Sequence, residues 1–266
     1  MNDFSNDLKY NILQVAINSS KAAGDFVLKN MQRATKIDFK GRVNMVTGVD
    51  KGSQEIIVSK ILKEFPGAGI LAEESGESNV ESDFKWIIDP LDGTTNFVHG
   101  FPCFAVSIAV EINGRIKVAV VHDPYHQETF YAIEGGGAYL NGSKIRVSQV
   151  NRLINSLLAT GFPYELNEYF YKNMEIFKAL YQKCQGIRRA GAATIDMCYV
   201  ACGRFDGYWE FYLNPWDVAA GYLIVKEAGG KLSNASGREF SIYGHEYVAT
   251  NGLIHDEILS VIKNFV

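Results

Sequence analysis

The chain has 266 residues, of which 47% are apolar and 21% charged, and its formal net charge is -4. That length carries one large domain or two tightly joined lobes around a sizeable core, and the composition is ordinary for a soluble globular enzyme. The tightest basic feature is the pair Arg188 and Arg189, too small for a nucleic-acid surface, so nucleic acid is not expected as the primary ligand.

The N-terminus, Met1 to Asp7, lacks the basic start and apolar run of a signal peptide. No apolar stretch reaches the roughly 18 residues of a membrane helix. A cytoplasmic protein with no membrane partner is the expectation. Leu8, Ile12, Val15, Ala16, Ala23, Phe26, Val27 and Met31 recur at helical spacing and predict a first helix. A second follows Asp50, with Ile56, Ile57, Ile61, Leu62 and Phe65 on one side, and ends at Pro66 and Gly67. Ile70 to Ala72 and Trp86 to Ile88 read as short buried strands, each running into acidic residues. Phe104 to Ile112 and Ile116 to His122 flank Asn113-Gly114, a hairpin signal because both turn residues tolerate positive φ. Glu128 to Ile133, Ala138 to Leu140 and Lys144 to Val147 continue an antiparallel meander.

In the second half, strands are predicted over Ser156 to Thr160, Phe205 to Phe211 and Tyr247 to Thr250. Helices are predicted over Leu166 to Cys184, Ala192 to Cys202, Asp217 to Ala228 and Ile254 to Phe265. Strict βαβ alternation is missing, so the pattern predicts a layered α+β architecture with at least two sheets.

The chemistry concentrates in Trp86-Ile87-Ile88-Asp89-Pro90-Leu91-Asp92-Gly93-Thr94-Thr95-Asn96-Phe97. The spacing predicts a strand ending at Asp89, a turn forced by Pro90, and a second carboxylate three residues on. Two carboxylates on a turn can converge on a hard cation such as magnesium, with the Leu91 carbonyl as a further oxygen donor. Amides of Gly93 and Thr94 would then face a phosphate if a helix starts there. Taken alone, Asp-Pro and Asp-Gly also read as plain tight turns. Glu73 and Glu74 end another apolar strand, while Asp50 and Asp217 stand at helix starts, where a capping role suits each of them separately. Together the four acidic segments form a constellation.

Through these residues the sequence resembles the inositol monophosphatase family, within the group that includes the fructose-1,6-bisphosphatases. Asp89 to Phe97 is similar to the family's first signature. Trp216-Asp217-Val218-Ala219-Ala220-Gly221 with Glu227-Ala228-Gly229-Gly230 resembles the second. Glu73-Glu74-Ser75 and the run from Gly203 to Glu210 also fit, and the resemblance spans about residues 8 to 262. It implies a single domain over 1–266 with an αβαβα sandwich of the sugar-phosphatase type, an N-terminal lobe to about 150 and a C-terminal lobe from about 151. It also implies a magnesium-dependent, lithium-sensitive phosphatase that acts as a homodimer, with two to three Mg2+ ions per site and a small phosphate ester as substrate. Glu73, Asp89 and the Leu91 carbonyl would bind one ion, and Asp89, Asp92 and Asp217 a second. Glu73 would help hold a third through water. Asp50, Glu73 and Thr94 would be catalytic, Thr94 paired with Asp50 to deprotonate the attacking water. Asp92, Gly93, Thr94, Ala193, Glu210 and Asp217 would contact substrate.

Asn44 and Gly48 depart from relatives that carry acidic or polar residues there, which bears on the third ion. Asn214 stands where animal members have His. His99 reads as structural or surface. The four cysteines Cys103, Cys184, Cys198 and Cys202 make no zinc pattern and read as buried thiols. Gly135-Gly136-Gly137 reads as a turn, and Tyr164, Tyr169, Phe170 and Tyr171 as packing residues. Arg189 could reach the acidic cleft. Rival readings are a sister phosphatase acting on fructose 1,6-bisphosphate, histidinol phosphate or a 3′-phosphorylated nucleotide, or a regulatory binding protein retaining the fold. Thr95-Asn96-Phe97 and Glu210 favour the inositol type.

Overall fold

The computed structural model describes residues 6–31, 37–39, 45–79, 82 and 84–266. Helix α1 (Asn6–Asn30) is followed by a two-stranded ribbon, β1 (Ile37–Phe39) with β2 (Met45–Thr47), and by α2 (Gly48–Glu64). Next come β3 (Gly69–Ala72), β4 (Gly76–Ser78) and β5 (Phe84–Asp92), with the short helix α3 (Thr94–Val98) at the end of β5. β6 (Ala105–Ile112), β7 (Arg115–Asp123), β8 (Glu128–Ile133), β9 (Gly137–Leu140) and β10 (Ser143–Lys144) form the meander. The second half runs β11 (Leu157–Thr160), α4 (Glu168–Tyr181), β12 (Gly186–Arg188), α5 (Ala193–Ala201), β13 (Gly207–Phe211), α6 (Pro215–Glu227), β14 (Lys231–Ser233), β15 (Glu246–Thr250) and α7 (His255–Ile262).

Two sheets organise these elements. The larger has the order β10-β9-β8-β7-β6-β5-β3-β4, and only its β3–β5 pair is parallel. The smaller has the order β12-β11-β13-β15-β14. The strand period of two decides what lies on each face. Trp86 and Ile88 of β5 pack with Ile12, Ile57 and Ile61 of α1 and α2, while Ile87 between them faces α5 and α6. In the smaller sheet Tyr208 joins α5 and α6, and its neighbour Trp209 packs under α4 and α7. The layers are therefore α, β, α, β, α, as the resemblance implied. α5 and α6 are the shared middle layer, which explains their small, apolar sequences: Ala219, Ala220 and Gly221 allow close approach on both sides. A Cβ at Gly221 would strike the Met197 side chain at 2.6 Å. Among the described residues no helix is long and apolar enough to cross a membrane.

Several boundaries differ from the sequence reading. β5 does not end at Asp89 but continues through Pro90 to Asp92, with a register shift between Asp89 and Asp92. Proline lacks the ladder N–H, and a bulge is a place in a sheet that does not need it. α4 stops at Tyr181, and β12 occupies part of the stretch that follows. Beyond Lys144 the expected strand to Val147 is not part of the ladder; the Val147 amide donates instead to the Ala228 carbonyl. β4, β12 and β14 are three residues each, too short for an alternating pattern to reveal. Gly135-Gly136-Gly137 is a turn, held because Glu227 accepts from the amides of Gly135 and Gly137 at 2.8 and 2.9 Å. All four cysteines are free, and three are buried. Asn44 lies outside the described residues; Gly48 opens α2.

Candidate active site

The bulge in β5 builds the centre of the site. The Asp89 carboxylate accepts from the Leu91 amide at 2.9 Å, folding the chain tightly around Pro90. The Leu91 side chain turns inward against Val49, Phe97 and Phe104, which leaves its carbonyl for polar partners. That carbonyl accepts from the Thr94 hydroxyl at 3.0 Å, and Asp50 Oδ1 lies 2.9 Å from the same hydroxyl. Gly93 makes the sharp exit from β5 with φ of 85°. A Cβ there would meet the Cys103 carbonyl at 2.7 Å, so glycine is required on two counts.

Asp50 sits in the first turn of α2 and is buried, 1% exposed, behind Thr94. Asp217 occupies the first turn of α6, where Pro215 starts the helix. The Asn214 amide donates to its Oδ2 at 2.7 Å within a capping box. The capping role and a place in the cleft are therefore both true of Asp217. Glu73 follows β3, and its amide donates to the Ile88 carbonyl.

These segments open on one cavity of about 490 Å³. Glu73, Asp89, Leu91, Asp92, Gly93 and Thr94 line it from the first half of the chain, and Ala193, Glu210 and Asp217 from the second. Asp50 reaches the cavity only through Thr94. Arg189 also lines it, and His99 is exposed elsewhere.

Burial raises the acids of this enclosure, and neighbouring carboxylates add to it at Asp89, Asp217 and Glu210. Asp89, 2% exposed, is held well above the ordinary carboxylate range, first by burial and then by Glu73, Asp92 and Asp217. Asp217 is raised by burial and Glu73. Burial pushes Asp92 up to about 6 against the hydrogen bonds from Thr194. Glu210 rises to about 7, chiefly by burial, while the Tyr208 hydroxyl and the Arg189 guanidinium pull it down.

The candidate cation ligands are oxygen donors throughout, the carboxylates of Glu73, Asp89, Asp92 and Asp217 and the Leu91 carbonyl, and among the described residues no His or Cys lines the cavity. That chemistry suits a hard, oxygen-preferring divalent cation, magnesium among them. Among the described residues no three of these side chains are already set around a single point as metal ligands. Asp89, Asp92 and Asp217 turn instead to the backbone amides of Leu91, Thr194 and Asn214.

Sequence reasoning missed one cavity residue and several that support the site from behind. Tyr164, read as packing, lines the cavity and is paired with Thr95. Thr194, whose amide and hydroxyl bind Asp92, carried no signal beyond its place near Ala193. Tyr208 donates to Glu210 at 2.6 Å; its position two residues before Glu210 on one strand was the only available hint. Asn96 ties α3 to the second half, donating to the carbonyls of Cys103 and Ala190 at 2.7 and 2.8 Å.

Comparison with known proteins gives a consistent result. The model of the inositol monophosphatase family matches residues 9–265. Nus factor SuhB of Escherichia coli is 44% identical over 246 residues, covering 91% of this chain and 90% of that protein. The chloroplastic phosphatase IMPL1 of Arabidopsis thaliana is 41% identical over 258 residues, covering 94% of this chain and 70% of its own length. Among solved structures, an inositol monophosphatase from Anabaena (Nostoc) sp. matches with a TM-score of 0.88 at 39% identity, over 97% of each chain.

Proposed function

This chain belongs to the inositol monophosphatase family, and from that premise we propose that it hydrolyses small polyol phosphate monoesters, inositol monophosphate foremost, with magnesium. Glu73, Asp89 and the Leu91 carbonyl would hold one ion; Asp89, Asp92 and Asp217 would hold a second, and Glu73 a third through water. When bound, such ions acidify a water, polarise phosphoryl oxygens and stabilise a leaving alkoxide. The remaining work belongs to the protein. Thr94 would take a proton from the attacking water as its own hydroxyl proton passes to the Asp50 carboxylate, which lies 2.9 Å away. The Gly93 and Thr94 amides would hold the phosphate, and Asp92, Asp217, Glu210 and the Ala193 backbone the polyol hydroxyls.

The observation that carries this reading is the gathering of Glu73, Asp89, Asp92 and Asp217 from three segments in one cavity, where Glu73 and Asp92 help raise both Asp89 and Asp217. Unit charges about 4 Å apart interact by roughly 4 kcal/mol at a protein-surface dielectric. Such a cleft repels a phosphate dianion until cations neutralise it. The test is phosphate release from inositol 1-phosphate, fructose 1,6-bisphosphate, histidinol phosphate and adenosine 3′,5′-bisphosphate, each with magnesium and with or without lithium. Fastest release from inositol 1-phosphate, suppressed by lithium, is expected. A faster rate on one of the others reassigns the substrate, and silence on all four removes the reading.

A second reading, a partner-binding regulatory role retained on the same fold, is supported by the name Nus factor carried by the Escherichia coli relative. The full carboxylate set favours catalysis alongside any such role. We further propose a cytoplasmic homodimer whose primary ligand is not nucleic acid; sedimentation as a monomer at working concentrations contradicts the dimer.

A further inference from the structure

α5 begins at Ala193 with Ala192 at its N-cap, a residue with no side-chain acceptor for the first-turn amides. The acceptor comes from the other half of the chain. Asp92 Oδ2 receives the Thr194 amide at 2.8 Å and the Thr194 hydroxyl at 2.5 Å. Thr194 is fully buried. A helical threonine ordinarily turns its hydroxyl back to the carbonyl one turn earlier. Here the carbonyl of Ala190, one turn earlier, takes the Asn96 amide instead. The Thr194 hydroxyl is thus committed to Asp92, and both of its bonds fall on the same carboxylate oxygen.

We propose that Thr194 is a positioning residue for the cation site: its amide and hydroxyl pin Asp92 Oδ2, so that Oδ1 is the oxygen presented to the divalent cation. The inference rests on the cation-dependent reading of the cleft. Physically, two donors on one oxygen fix the rotamer and plane of the carboxylate, and a charge-assisted hydroxyl bond is a strong one. Alanine at 194 would keep the amide bond and lose the hinge on the plane. The residue touches neither phosphate nor water; it acts through Asp92.

The test uses the full chain with Thr194→Val, Thr194→Ser and Thr194→Ala. Mn2+ binding to the substrate-free protein is titrated by electron paramagnetic resonance, and turnover of inositol 1-phosphate is measured at saturating metal. Loss of a group that orients a metal ligand typically weakens metal affinity by 10- to 100-fold. Thr194→Val is expected to bind Mn2+ about tenfold more weakly and to lose more kcat than KM, whereas Thr194→Ser stays within about twofold of wild type. Should Val fail to fold, Ser against Ala carries the same comparison, because the two differ only in the hydroxyl. Equal Mn2+ affinity for Ser and Ala, or a lowered Tm with unchanged affinity, overturns the proposal. Wild-type protein that binds Mn2+ but releases no phosphate from any ester removes the proposed function and leaves the Thr194 comparison intact. Wild-type protein that binds no Mn2+ overturns both.

Discussion

At position 161 a Cβ would collide with both carboxylate oxygens of Glu210, which the Tyr208 hydroxyl holds from another side. The missing side chain is what leaves room for that carboxylate. Gly161→Ala is therefore expected to displace Glu210 and raise KM for a polyol phosphate about tenfold, roughly 1.4 kcal/mol of binding, with kcat changed less. Steady-state kinetics checks this, and an aryl phosphate without ring hydroxyls, measured in parallel, is expected to lose nothing. His255 offers a second residue-scale case, away from the cleft. Its ring nitrogens meet the hydroxyls of Thr250 and Ser233, both at 2.9 Å. Burial first, and then Lys231, lower it to about 4, against roughly 6.5 in an unfolded chain. Between those values the unfolded chain binds a proton that the folded chain refuses. The stability associated with His255 is thus complete above about pH 6.5 and falls as the pH drops toward 4. Denaturant unfolding at pH 7 and pH 5 should show the loss, and His255→Gln should flatten it; an unchanged slope in the variant rules His255 out as the source.

Helix ends divide into those that serve only the fold and those that also serve the cleft. At the start of α4, Asn167 accepts from the Phe170 amide at 3.1 Å, an ordinary N-cap on the outer layer. Asn167→Ala should cost about 1 kcal/mol of stability and leave kcat and KM unchanged, as chemical unfolding and kinetics can show. A kinetic loss would mean that the outer layer communicates with the site. In α6 Asp217 is the N3 member of the capping box with Asn214, so its removal costs stability and a proposed ligand together. β5 shows how far local pattern reaches. Its apolar run was readable as a strand, and Asp89 and Asp92 were readable as a pair. The course of the chain through Pro90 was not, because a bulge is set by pairing with β6 and not by the residues of β5.

For the molecule as a whole, the buried carboxylates are a standing cost to the folded state. Cations that bind the fold and not the unfolded chain should relieve it. At a hundredfold excess over Kd, magnesium should stabilise by about 2.7 kcal/mol, a rise in Tm of roughly 5 to 10 °C for a chain of this size. Thermal unfolding with magnesium and then with excess chelator checks this. A Tm indifferent to both counts against a cation site in the cleft.

Local order and chemical type were legible in the residues alone. Hydrophobic period marked most helices and strands, Asn113-Gly114 marked its hairpin, and the signature around Asp89 pointed to hard-cation phosphate chemistry. These are properties of neighbours along the chain, where spacing translates directly into direction. Only folding decided that Asp92 would cap α5 through Thr194, that Asn96 would bind the Ala190 carbonyl, and that Gly161 would make room for Glu210. Those contacts join positions tens of residues apart, and nothing in the local sequence ranks one distant partner over another. The packing of α5 and α6 between two sheets does.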